Sequence, residues 1–222
     1  MADPAPLFNA AKRHLLLTAE RLFAQRGCEG VSLREIAQAA GSRNNNAVQY
    51  HFGSREGLMA AIHVCRVGDM EAMREAMLAR AGAEGLLGDS LTLLQILCLP
   101  HLALKDEDGS HPYAGFLVHY VMRHWRAPDA DAAVGAGGVA PAQRRVVELI
   151  AATLGDLSPA FIRSRSMLAL MLFLNALLRH DHVDRQLGVP ALLEDALRSA
   201  HAALRQSDAG RAPLLFADML AL

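Results

Sequence analysis

An all-α fold is predicted for this sequence of 222 residues from three observations. Apolar residues recur at three- and four-residue spacing along most of the chain. No segment alternates apolar and polar residues with the Val, Ile and Thr enrichment of a strand. The punctuation is also helical, with Ser and Pro at starts and Gly at stops.

The elements follow in order. Residues 10–26 place Leu15, Leu16, Ala19, Leu22 and Phe23 on one face and stop at Gly27. In "VSLREIAQAAG", Ser32 and Glu35 form an S-x-x-E capping box, and Gly41 stands where a left-handed residue closes a helix. "SRNNN" is turn chemistry, and "AVQYHF" is a short helix whose first turn is expected to carry the asparagines. Ser54 caps a long helix from Arg55 to about Arg80, broken by Gly82, Gly85 and Gly88. Helices of about 86–104 and 112–125 are separated by the polar turn "KDEDGSH". "RAPDADAAVGAGGVAP" is aperiodic and is expected to be a mobile linker. Pro141, Pro159 and Pro190 open helices of about 141–154, 159–181 and 190–206, and "GRAPLLFADMLAL" is expected to form a last short helix.

Composition narrows the class. Hydrophobic residues make up 52% and charged residues 20%, with mean hydropathy +0.17, which suits a packed chain and excludes global disorder. Residues 1–57 carry seven Lys/Arg against five Asp/Glu, whereas residues 58–222 carry fifteen against eighteen. The first quarter is therefore the better place to meet a polyanion. Cys28, Cys65 and Cys98 are scattered, without a CxxC pair, and read as free thiols in a reducing compartment. No basic-then-apolar leader is visible, and the apolar run Met167 to Leu178 is too short to span a bilayer. A cytoplasmic protein without a membrane partner is expected.

The chemistry concentrates in residues 32–55. Ala37, Gly41 and Val48, with Ile36 and Ala40, supply the small residue, turn glycine and apolar closure that a helix-turn-helix needs. With Val48 and Phe52 inward, the short helix presents Asn45, Asn46, Gln49 and Tyr50 outward. Asn44 can cap it by accepting from the amide of Asn46 or Ala47. Asn and Gln carry the paired donor and acceptor that match adenine N6 and N7 in the major groove. Base reading from the start of this helix is expected.

"TAERLFAQRGCEGVSLREIAQAAG" followed by "AVQYHFGSREGL" resembles the N-terminal domain of the TetR-type transcriptional regulators over roughly residues 11–60. The resemblance implies a DNA-binding domain at 1–57 and a helical regulatory and dimerisation domain at 58–222. It further implies a homodimer that holds a palindromic double-stranded operator, most simply as a repressor, and releases it when a small molecule binds. By position, Ser32, Tyr50, His51 and Arg55 match phosphate contacts, while Arg43, Asn44, Asn45, Asn46 and Gln49 fall in the base-reading region. The segment from Gly41 to Tyr-His-Phe is one residue longer here than in the commonest form of the motif, so which asparagine reads which base stays open.

In the second region "PYAGFLVHYVMRHW" mixes aromatic walls with polar tips, as a cavity for an apolar or aromatic effector would. Tyr113, Phe116, His119, Tyr120 and Trp125, with Phe173 and Asn175, are the candidate ligand residues, and Arg123 is the segment's full charge. Residues 159–206 are expected to carry the dimer, with Leu193, Leu197, Ala200 and Leu204 forming a stripe toward a symmetry mate.

Two alternatives are a small-molecule enzyme and a metal-responsive sensor. No G-x-S-x-G elbow or H-E-x-x-H motif occurs, so no catalytic residue is assigned. Cys98 with His101, and Asp181 between His180 and His182, are pairs without a locally spaced third ligand, so no metal site is assigned. "GAGGVA" at 135–140 fits G-x-G-x-x-A but lacks the preceding strand, so no dinucleotide or other cofactor is expected.

Overall fold

The computed structural model describes residues 7–124, 140–155, 157–182 and 189–206, and every regular element among them is helical. In order these are α1 (Ala10–Arg26), α2 (Leu33–Ala39), α3 (Ala47–Phe52), α4 (Arg55–Ala83) and α5 (Ser90–Cys98). A 3-10 turn (Leu99–Ala103) continues α5, and α6 (Pro112–His124), α7 (Pro141–Thr153), α8 (Pro159–His182) and α9 (Val189–Arg205) follow. The linker at 126–139, Trp125 and the expected C-terminal helix lie outside the described residues.

The predicted caps form. Ser32 Oγ accepts from Glu35 N at 3.2 Å and Ser32 N donates to the Glu35 carboxylate at 2.7 Å. At the far end of α2, Gly41 N donates to Gln38 O and Ser42 N to Ala37 O, both at 2.9 Å, with Gly41 at φ 67°. This is the paired bonding of a Schellman close, and it needs the left-handed conformation that glycine tolerates. Some boundaries differ from expectation: α4 continues through Gly82 to Ala83. The fifth helix starts at Ser90, capped by Asp89 accepting from Thr92 N at 2.8 Å, not near 86.

Leu16, Ala19, Phe23, Val31, Ile36, Ala37 and Val48 are buried together and join α1, α2 and α3. Helix α1 also packs along α6, where Phe23 stacks on Phe116 with ring centroids 6.2 Å apart. A Cβ at Gly115 would stand 3.0 Å from that of Ala24, so glycine sets how closely these helices approach. The long α4 touches α1, α3, α5, α6 and α7 and is the axis that both regions share.

Helices α8 and α9 pack along one another, and α9 also packs on α5. Leu193, Ala196, Leu197, Ala200 and Leu204 are already buried within one chain. That corrects the expected dimer seam: the stripe is needed to attach α9 to its own domain. Several exposed apolar residues lie on α8, where Phe161, Leu168 and Leu172 are 57, 50 and 43% exposed. Over Pro159–Asp181 this helix is long and apolar enough to cross a membrane by length and composition, with mean hydropathy 1.5. Its inner face carries Ala169, Phe173, Leu174 and Leu177, buried against protein.

Candidate functional site

The segment between α2 and α3 is an ordered turn. Ser42 Oγ donates to Asn44 O at 3.1 Å and accepts from Asn44 N at 3.2 Å. Asn44 Oδ1 accepts from Asn46 N at 2.9 Å, and Asn44 O accepts from Ala47 N at 3.0 Å. Asn44 thus makes the bond foreseen for it, but from within the turn. Helix α3 begins only at Ala47, its N-cap Asn46 makes no side-chain capping bond, and the tract precedes the helix. The physical reason is local: asparagine favours turns over helix interiors, and the extra residue lengthens the turn.

Arg43, Asn45 and Asn46 are exposed, and no hydrogen bond among the described residues engages their side chains. Gln49 is exposed, with Nε2 donating to Gly53 O at 2.6 Å. Tyr50 is 82% exposed and meets the half-buried His51 ring edge-on at 5.0 Å. The amides and the ring therefore share one solvent-facing surface, while Ala47 and Val48 are buried beneath it.

Two of the expected phosphate contacts have structural duties. Ser32 is committed to its capping box. Arg55 Nη1 donates to Val31 O at 2.6 Å and to Cys28 O, pinning the α1–α2 connection to the first turn of α4. Its positive charge at a helix N-terminus opposes the helix dipole, and the two carbonyl oxygens offset that locally.

Residues 15–62 match the family model for bacterial regulatory proteins of the tetR family. Over these residues the chain is similar to transcriptional regulators of the tetR family. No curated protein matches it. Two solved structures align over most of its length. One is the TetR family transcriptional regulator PfmR from Thermus thermophilus, with 19% identity, 92% of this chain and 100% of that chain covered, and TM-score 0.48. The other, from Mesorhizobium loti and described as of the TetR family, has 18% identity, 87 and 95% coverage and TM-score 0.47. The assignment rests on the N-terminal match.

In the larger region the expected ligand residues divide. Tyr113, Phe116, Tyr120 and Phe173 are buried and share one aromatic cluster. Tyr113–Phe116 and Phe116–Tyr120 centroids are 6.1 and 5.5 Å apart, and His101 lies 5.8 Å from Tyr113 and 6.4 Å from Phe173. His119 and Asn175, by contrast, are exposed on outer helix faces. Asn175 Nδ2 satisfies itself on Met171 O of its own helix at 2.8 Å, a back-bond that removes the need for a buried partner. Arg123 is likewise not a cavity charge. It pairs with Glu56 at 2.9 Å and with Glu29, tying the end of α6 to the DNA-binding domain.

The metal-like pairs are also spoken for. His101 Nδ1 bonds the backbone O of Cys98 at 2.9 Å, and Asp181 accepts from His111 N at 2.7 Å and faces His111 Nδ1 at 3.0 Å. Among the described residues no three His, Cys, Asp or Glu side chains gather as a metal site.

Sequence reasoning missed three groups on α4: His63, Arg66 and Arg74, all buried. The signal was available, since they fall in helical register with the inward Met59, Ile62 and Met70. Arg66 is held by Glu20 of α1 through two bonds of 2.6 Å, with Asp69 at 3.3 Å. His63 Nδ1 bonds Tyr113 OH at 2.9 Å.

Proposed function

We propose that this chain is a cytoplasmic, ligand-responsive repressor that binds a palindromic operator as a homodimer. Residues 1–57 serve DNA, and residues 58–222 serve effector binding and dimerisation. The observation that carries the reading is the presentation of Arg43, Asn45 and Asn46, exposed and unbonded among the described residues, on a turn whose backbone is held by its own hydrogen bonds. Such a surface costs little to order on binding, because the turn is already set.

The exposed apolar face of α8 supports self-association. Phe161, Leu168 and Leu172 are only about half covered among the described residues, and a two-fold related copy of the same face would cover the rest. A dimer places two reading heads on half-sites about one helical turn of DNA, or a multiple of it, apart. Effector binding reaches the DNA through α4 and α6. Helix α4 enters the reading domain at the Arg55 clamp, and α6 enters it at Arg123. A ligand shifts operator affinity only by its differential affinity for the two arrangements.

Selection of bound sequences from random duplexes tests the reading. Asn45→Ala, Asn46→Ala or Gln49→Ala should relax preference at single positions, by about 1–3 kcal/mol for each bidentate pair lost. Uniform loss at every sequence would instead make these residues non-specific contacts. Leu168→Asp should yield monomers in sedimentation while leaving helicity intact; an unchanged dimer would move the interface off α8.

A further inference from the structure

Arg74 is the largest fully buried side chain among the described residues, at 1% exposure, and it lies in the middle of the regulatory region. Among those residues its Nε and Nη1 have no hydrogen-bond partner, and Nη2 meets only Met70 Sδ at 3.5 Å. No carboxylate of the described residues stands within ion-pair distance of it. Glu71 is its acidic neighbour on α4 and acts on it through space, but Glu71 Oε1 accepts from the amide of Ala142, and its buried Oε2 makes no hydrogen bond to Arg74 among the described residues. A guanidinium cannot shed its proton at physiological pH, so burial without a carboxylate hydrogen-bonded to it costs several kcal/mol. A folded domain that retains such a charge has a reason to do so.

A second unpartnered donor lies on the same helix. His63 is buried, and with Tyr113 OH bonded to Nδ1 its Nε2 has no partner among the described residues. If Tyr113 donates that bond, Nε2 carries the hydrogen, and neutral His63 presents an N–H. His63 and Arg74 are eleven residues apart, about three turns, and so share a face of α4. Burial, then the positive field of Arg74, holds His63 neutral, down to about 4. The rings of Tyr113, His101 and Phe116 belong to the cluster in which His63 sits.

We propose that Arg74 is the anchor for an anionic effector head, a carboxylate on an apolar or aromatic body, with His63 Nε2 as a second donor farther along α4. Carboxylate geometry matches the guanidinium fork, and two parallel N–H···O bonds would satisfy Nε and an Nη together. The aromatic cluster then packs the body. This rests on the ligand-responsive reading above and sharpens it: the effector is an acid, not a neutral compound.

The test uses the full chain and matched acid and amide pairs: acetate with acetamide, benzoate with benzamide, octanoate with octanamide. Thermal unfolding and operator binding are both followed. At least one acid is expected to raise Tm, with its amide at least tenfold weaker. Arg74→Met, which removes the charge and keeps the bulk, should abolish the acid response and leave the ligand-free Tm unchanged or higher. Arg74→Lys should retain a response weakened about tenfold, because the fork is lost. Equal responses to acid and amide throughout, no response to any pair, or an acid response unaltered in Arg74→Met overturns the proposal. A lower ligand-free Tm in Arg74→Met with acid binding intact overturns it too, making Arg74 a structural residue. Operator release by a neutral compound would leave the ligand-responsive reading standing without this site; acid binding that leaves operator affinity unchanged would do the reverse.

Discussion

Two arginines eight residues apart on α4 are both buried, and their surroundings are opposite. Arg66 faces α1, where Glu20 meets it in a two-bond fork and Asp69 adds a third contact, itself held by Arg13 at 2.7 Å. Arg74 faces the aromatic interior, where its nearest bonded atom is a thioether. The difference teaches that burial of charge is not one phenomenon. The first arginine joins the DNA-binding helices to α4 and is satisfied by the fold; the second has no hydrogen-bonded carboxylate among the described residues.

The largest break in that comparison comes from Glu20. Glu20→Ala strands Arg66 in the interior and should cost about 3–5 kcal/mol in chemical denaturation, since removing one partner of a buried pair leaves the other uncompensated. A loss below about 1 kcal/mol would mean that Asp69 alone satisfies Arg66, and the contrast with Arg74 would fade.

Acid offers the next test. Burial, then Arg74 and His124, pulls His63 down to about 4, and burial with Arg74 pulls His101 down to about 3. The unfolded chain takes up protons near pH 6.5 while the folded one does not, so stability is full above that value and falls as pH drops toward 4. His63 alone should account for a loss on the order of 3 kcal/mol across that window. His63→Gln should flatten the slope. An unchanged slope would assign the acid sensitivity to other groups.

Smaller effects sharpen the comparison at the DNA-binding end. Arg55→Ala removes donors from two carbonyl oxygens and should cost about 1.5–3 kcal/mol of stability, with weakened operator binding as a consequence. Arg43→Ala should leave stability within about 0.5 kcal/mol and reduce the salt dependence of DNA binding by about one charge. Salt titrations of both variants separate the structural clamp at Arg55 from the exposed charge of Arg43.

Most of the helices, the capping box of α2 and the left-handed close at Gly41 were legible because each depends on residues three to five positions apart. The start of α3 was less legible: an asparagine tract with one extra residue suits a lengthened turn as well as a first helical turn. The candidate reading residues could be named from sequence, but the commitment of Arg55 to Cys28 and Val31 could not, since those atoms meet across a loop and a helix. The same holds for the effector candidates. Tyr113, Phe116, Tyr120 and Phe173 cluster, whereas His119 and Asn175 turn outward, because helix rotation against neighbours decides which face is buried.

Sequence alone therefore determined the helical class and most helix ends, which rest on local bonding and period, and the likeness of residues 15–62 to the tetR family. Tertiary structure decided which charges are paired. Glu20 and Arg66 lie 46 positions apart and find each other only when α1 packs on α4, while Arg74 finds no such partner among the described residues. Ion pairing is a matter of a few ångströms in space, and spacing along the chain carries no record of it.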